Sequence, residues 1–211
     1  MHPTLKKIIA AALSLFVLFV GFYGSYLPLR KSRLFIGTMR GMGNTASLAE
    51  LKRQFSIPLD ATSPVGQEEL VRNTANFLVS AFQQPNIKPE VALDILKFIE
   101  NYYDPIISSD RGMSFTQDLY VSGILNELAF TKTKNPEYLE KAQVYFERGL
   151  EKSPHRPQFL FGMFDIFHIK GDVEGMKKIA NQIFSLWPEE TRTSEAIKEI
   201  IASFGAPAKK H

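Results

Sequence analysis

Residues 136–188 read PEYLEKAQVYFERGLEKSPHRPQFLFGMFDIFHIKGDVEGMKKIANQIFSLWP, and this stretch decides the fold. Pro154 and Pro188 stand 34 residues apart, and each follows an apolar-periodic run. Ala142, Phe146 and Gly149 precede the first proline; Met176, Ala180 and Ile183 precede the second at the same offsets. A four-then-three step keeps each triplet on one side of a helix, the side that must meet a neighbour. The proline ends the run, because it has no N–H to donate and restricts the residue before it. Gly171-Asp172 supplies the reversal between runs, since glycine takes the left-handed conformation at a helix end without steric cost.

Working outward, the same helical spacing continues in both directions. Upstream, 67–82 places Leu70, Val71, Thr74, Phe77, Leu78 and Ala81 at steps of three and four. Pro89-Glu90 opens another run, with Val91, Ala92, Ile95, Leu96 and Ile99 on its apolar side and a stop expected at Pro105. Further helices are expected from Phe115 to about Phe130, over 138–151, 158–169 and 173–186, and over 194–203. No stretch alternates as a strand does, so the class is all-α.

A 34-residue helix–turn–helix period is that of the tetratricopeptide repeat, and 136–188 resembles that family, most clearly in PQFLFGMFDIFHIKGDVEGMKKIANQIFSLWP. Ala92, Leu96 and Ile99 before Pro105 repeat the step with one extra residue, a fainter likeness over 77–105. Two departures stand out. Met176 holds a place where the family usually has alanine, and Phe164 one where it usually has a small residue. The turn FTKTKNPEYLEKA is longer than a standard one, which leaves the preceding helix unregistered. The resemblance implies an α-solenoid over 64–205 and a protein or peptide partner in the repeat groove. It also implies that one side of 158–169, carrying Gln158, Phe161, Asp165 and His168, lines that groove: an apolar anchor beside polar groups.

The N-terminus reads differently. Residues 8–29, IIAAALSLFVLFVGFYGSYLPL, hold no charge. At about 1.5 Å per residue they form a helix of about 33 Å, enough to cross a hydrocarbon core of about 30 Å. Lys6-Lys7 and the run RKSR at 30–33 flank the segment, and Tyr23 and Tyr26 sit near its end as interfacial aromatics. Large aromatics occupy the places where a signal-peptidase site wants small residues, so the segment reads as an uncleaved, single-pass anchor within 1–33. The flanking charges nearly balance and do not orient it. Residues 34–63 shift toward Gly, Pro, Ser and Thr and read as a connector, with one short helical stretch around 47–55. There, Ser47 and Glu50 have capping-box spacing. GTMRGMGN at 37–44 lacks the Gly-Lys-Ser/Thr of a phosphate loop. Residues 206–211 form a tail.

A second resemblance covers more of the chain: the apolar helix, LPLRKSRLFIG, SPVGQEELVRNTANFL, then degenerate repeats ending LEKSPHRPQFLF. That layout is similar to the extracytoplasmic tail of bacterial O-antigen ligase or polymerase-like membrane proteins. It implies an accessory or detached tail of an envelope-glycan system, with the helical part outside the cytoplasm.

Bulk properties exclude several classes. The hydrophobic share of 45% supports a real core. A net charge of +3, with dispersed lysines and arginines, gives no nucleic-acid footprint. Cysteine is absent, which removes disulfides, thiolate zinc sites and cysteine nucleophiles. His2, His155, His168 and His211 form no pair at helical ligand spacing, so neither metal nor cofactor is expected. No nucleophile elbow is written, Asp165 and His168 read as a surface pair, and no catalytic residue is assigned. The expectation is a membrane-anchored, non-catalytic protein-interaction scaffold.

Overall fold

The computed structural model describes residues 2–42, 47–83, 86–112, 114–189 and 191–205, and the regular structure among them is entirely helical. In chain order come α1 (Pro3–Gly21), a π-helical turn (Phe22–Tyr26), α2 (Leu27–Gly41), α3 (Leu48–Asp60), α4 (Gln67–Phe82), α5 (Pro89–Ser109), α6 (Phe115–Thr133), α7 (Pro136–Lys152), α8 (Pro157–Lys170), α9 (Val173–Leu186) and α10 (Thr191–Gly205). The expected tail at 206–211 lies outside the described residues, as do 43–46 of the glycine-containing stretch. The chain divides into two compact units: Met1–Leu78 with Lys97–Gly112, and Val79–Leu96 with Met113–His211.

In the first unit α1, the π turn and α2 form one continuous helix, Pro3–Gly41, of 39 residues. It is long and apolar enough to cross a membrane, and its most apolar stretch has no buried residue. The apolar helix expected over 8–29 therefore does not stop at Leu29; it runs on through the basic run to Gly41. Nothing between Pro28 and Gly41 breaks a helix: Pro28 lies in the first turn of α2, where its missing N–H and fixed φ are tolerated. The glycines of 37–41 are accordingly helical and form no loop. The segment read as a connector over 34–63 carries the end of α2 and the whole of α3. The Ser47 Oγ accepts a hydrogen bond from the Glu50 backbone N–H at 3.2 Å, which fixes the start of α3 where the capping spacing placed it.

The basic run does not behave as a uniform membrane flank. Lys31 is buried at 3% exposure. Its Nζ donates to the Ala61 carbonyl at 2.8 Å and to the Gln67 Oε1, just past the end of α3 and at the start of α4. A cation is favourable there, since unsatisfied carbonyls collect at a helix C-terminus. Phe55, fully buried, contacts the rings of Phe35 at 6.5 Å and Phe77 at 5.5 Å.

Pro105 overturns a second expectation. α5 does not stop there but continues to Ser109 with the proline inside it. Ile99, Tyr103 and Ile107 are buried at four-residue spacing across the proline. Burying such side chains contributes about 1.5–3 kcal/mol each, enough to offset the roughly 3 kcal/mol that an interior proline costs. Tyr102 adds hydrogen bonds to Ser56 (3.2 Å) and Asp60 (3.0 Å) of α3.

In the second unit, helices that follow one another in sequence pack on one another: α6 on α7, α7 on α8, α8 on α9, α9 on α10, with a further contact of α6 with α8. The starts and stops are chemical. The Asn135 Oδ1 accepts from the Glu137 N–H at 3.1 Å at the head of α7. The Asp172 Oδ1 accepts from the Gly175 N–H at 2.9 Å at the head of α9, and Gly171, at φ 68°, closes α8 in the left-handed region. Ala142, Phe146 and Gly149 of α7 are buried, as are their 34-residue equivalents Met176, Ala180 and Ile183 of α9. Phe146 is the central knob. A Cβ at Gly123 of α6 would overlap its ring, and one at Gly162 of α8 would come within 2.8 Å of it. Phe159 likewise fills the space left by Gly149. Leu160, Met163 and Phe164 of α8 are buried, and Phe167 is half-buried.

Candidate binding groove

The residues singled out on α8 project from one side of a helix whose opposite side is the core. Helix α8 is held at its head by Arg156, whose guanidinium donates to the Thr116 Oγ1 and, at 3.4 Å, to the Gln117 Oε1 of α6. Near its end the Lys170 ammonium donates to Gln143 of α7. With Phe159, Leu160, Met163, Phe164 and Ile166 buried, Phe161 and Asp165 are left at the surface and Gln158 and His168 half-covered.

Three of these four residues fall into two groups. Phe161, 36% exposed, lines a pocket of about 310 Å³ together with Pro157, Ile183, Trp187, Thr193 and Ser194. Those residues come from the head of α8, the end of α9 and the head of α10. Asp165 and His168 belong to a polar group. The Asp165 carboxyl is pushed up by its partial burial, and the His168 side chain opposes that shift. The His168 ring meets Phe204 of α10 edge-on, with centroids 5.4 Å apart. Gln158 lines neither the pocket nor the polar group.

Two residues of α6 complete the polar group and escaped the sequence reading. Glu127 is pushed up to about 7, first by burial and then by the negative charge of Asp165. Its Oε2 is buried without a hydrogen-bond partner. The Tyr120 hydroxyl is raised by burial, then by Glu127 and Asp165. Tyr120 also packs on Phe146 (6.2 Å) and Phe159 (6.1 Å), so its ring is fixed by the core. The negative charge of Asp165 on α8 thus acts on Glu127 of α6, and Asp165 lies one helical turn beyond Phe161, which lines the pocket. Among the described residues, neither acid is paired with a lysine or arginine.

The arrangement is suited to binding. Among the described residues no group of three or more His, Cys, Asp or Glu side chains is arranged to hold a metal ion. The acids offer a partly dehydrated surface on the helices that carry them. Compared with known protein families, with curated proteins and with solved structures, the chain matches none.

Proposed function

We propose that the chain is a membrane-anchored, non-catalytic module of the tetratricopeptide type, which holds a protein or peptide partner near a bilayer. The observation that carries this reading is the chain-order packing of α6 to α10 with buried residues at 34-residue equivalents. A stack of helix hairpins built this way leaves alternate helices to share a surface, and repeat proteins bind on such surfaces. The Pro3–Gly41 helix supports the anchor: the side chains of its most apolar stretch find no cover among the described residues, and a bilayer is the solvent that suits them. The helical part lies outside the cytoplasm on this reading, as the likeness to glycan-ligase tails implies.

The full-length protein, extracted in mild detergent, should capture a partner that the Phe161→Asp, His168→Ala variant loses. Identical partner sets for the two proteins would remove the groove from the account. A C-terminal alkaline phosphatase fusion reads sidedness: activity is expected, and a silent fusion would place the helical part in the cytoplasm.

A further inference from the structure

The turn of α2 splits the basic run at 30–33 between two sides of the rod. Lys31 is buried, and with Phe35 and Glu69 it lines a pocket against the head of α4. Arg30 and Arg33 are exposed on the other side. Together with Tyr26, Leu29 and Leu34 they line an open pocket of about 250 Å³. Tyr26, Arg30 and Arg33 follow one another at steps of four and three, so they stand in line along the rod. The Tyr26 ring is itself stacked on Phe22, with centroids 5.3 Å apart. Among the described residues neither arginine makes an ion pair. The first acidic residue of the chain is Glu50, so the whole Pro3–Gly41 helix carries no carboxylate side chain.

The uncharged segment sets the depth of this pocket. It ends at Leu29. Counted from there at about 1.5 Å per residue, Arg30 lies about 1.5 Å and Arg33 about 6 Å beyond the hydrocarbon edge. A headgroup layer is about 5–7 Å deep, so both guanidinium groups stand at the level of the lipid phosphates. Arg40, on the same side but about 16 Å out, stands above that layer.

We propose that Arg30 and Arg33 hold the phosphate of an anionic phospholipid from the surrounding bilayer, with Tyr26 beside it and an acyl chain lying along Leu29 and Phe22. The inference rests on the anchor reading above and adds which lipid the anchor selects. Guanidinium groups bind phosphate oxygens through paired, charge-assisted hydrogen bonds. Tyrosine suits the same level, since its ring is apolar and its hydroxyl is polar. A zwitterionic lipid carries the same phosphate, but its ammonium would lie beside two arginines with no carboxylate on the rod to receive it. An anionic lipid brings no such cation and is therefore preferred.

The test titrates the full chain, purified in mild detergent, with phosphatidylglycerol or with phosphatidylcholine of the same acyl chains, and counts bound lipid by native mass spectrometry. The first phosphatidylglycerol should bind about tenfold tighter than the first phosphatidylcholine, equivalent to about 1.4 kcal/mol. Arg30→Gln with Arg33→Gln should abolish that preference, whereas Arg40→Gln should leave it unchanged. A double variant that still prefers phosphatidylglycerol would overturn the proposal. So would an equal loss in Arg40→Gln, which would mean a diffuse field and no pocket. Glycerol phosphate in large excess should leave the bound lipid in place; its displacement would assign the arginines to a soluble phosphate compound instead. A change of oligomeric state in the double variant would mean that a second copy of the chain covers this side of α2, and would overturn the proposal as well. The anchor reading is judged separately by carbonate extraction. The double variant should stay in the membrane pellet, so that lipid preference is lost while the anchor stands; release of the unaltered protein from the pellet would remove both.

Discussion

Helices α1 and α8 are both dense in leucine, phenylalanine and isoleucine or valine, yet they end in opposite environments. In α1, Leu15 is 68% exposed and Leu18 69%; in α8, Phe159 and Leu160 are wholly covered. Composition alone does not separate them. What does is the presence of neighbours: α8 is flanked in sequence by α7 and α9, each with a matched apolar stripe, whereas α1 has no partner helix among the described residues. A helix that is apolar all round needs either a core or lipid. Within this chain α8 has a core, and on the proposed reading α1 has lipid.

The largest test of that contrast moves charge into both helices. Leu15→Arg with Leu18→Arg should cost about 2.5–3.5 kcal/mol for each arginine at the bilayer centre. The protein should leave the carbonate-resistant membrane pellet while α6–α10 keep their helical circular dichroism. Retention in the pellet would separate α1 from the bilayer. In the second unit, Phe146→Ala should destabilise by about 3–5 kcal/mol in a denaturant or thermal melt, because a fully buried ring leaves a cavity among α6, α7 and α8. Gly149→Ala, which drives a methyl into the Phe159 ring, should cost about 1–3 kcal/mol. A neutral result would show that α7 and α8 are further apart than described.

A smaller effect lies at the acids. The folded-state value of Glu127 is raised to about 7 from an ordinary carboxyl value near 4.5. The folded protein therefore holds a proton that the unfolded chain has released, and stability should fall as pH rises between those values. The whole difference would be worth about 3 kcal/mol; solvent screening at this half-covered carboxyl reduces the expected loss to on the order of 1–2 kcal/mol, and Glu127→Gln should flatten that slope. A slope of opposite sign would mean that Glu127 is ionised and paired. The smallest change is Phe161→Ala, expected at below about 1 kcal/mol because the side chain is partly exposed; a loss equal to that of Phe146→Ala would invert the assignment of the faces of α7 and α8.

Much of the helical layout was legible because its signals are local. The limits of α4 and α9 follow from periodicity, the Ser47 cap stands where its spacing with Glu50 placed it, and the chain reverses at Gly171-Asp172 as expected. Pro105 was misread because a proline's local cost is visible in sequence, whereas the buried stripe that outweighs it is visible only once packed. Lys31 was misread for a related reason. A lysine beside an apolar helix looks like a membrane flank until the end of α3 is seen to supply its acceptors. On α8, Phe161, Asp165 and His168 could be placed together because they share one helix face. Glu127 and Tyr120 were hidden because the long turn before α7 left α6 without a register. Gly123 and Gly162 gave no signal either: each matters only for the ring that lies over it.

The interior position of Lys31 has a mechanical consequence. Its ammonium links the N-terminal rod to the end of α3 and the start of α4. Turning the rod about its own axis would strip a charged donor of its acceptors, at a cost of about 1.5–3 kcal/mol for a hydrogen bond to a charged group. Torque on the rod is therefore passed to α3 and α4 before that joint slips. In that sense the rod is a shaft keyed to the helices it carries, and Lys31→Met would turn the key into a bearing.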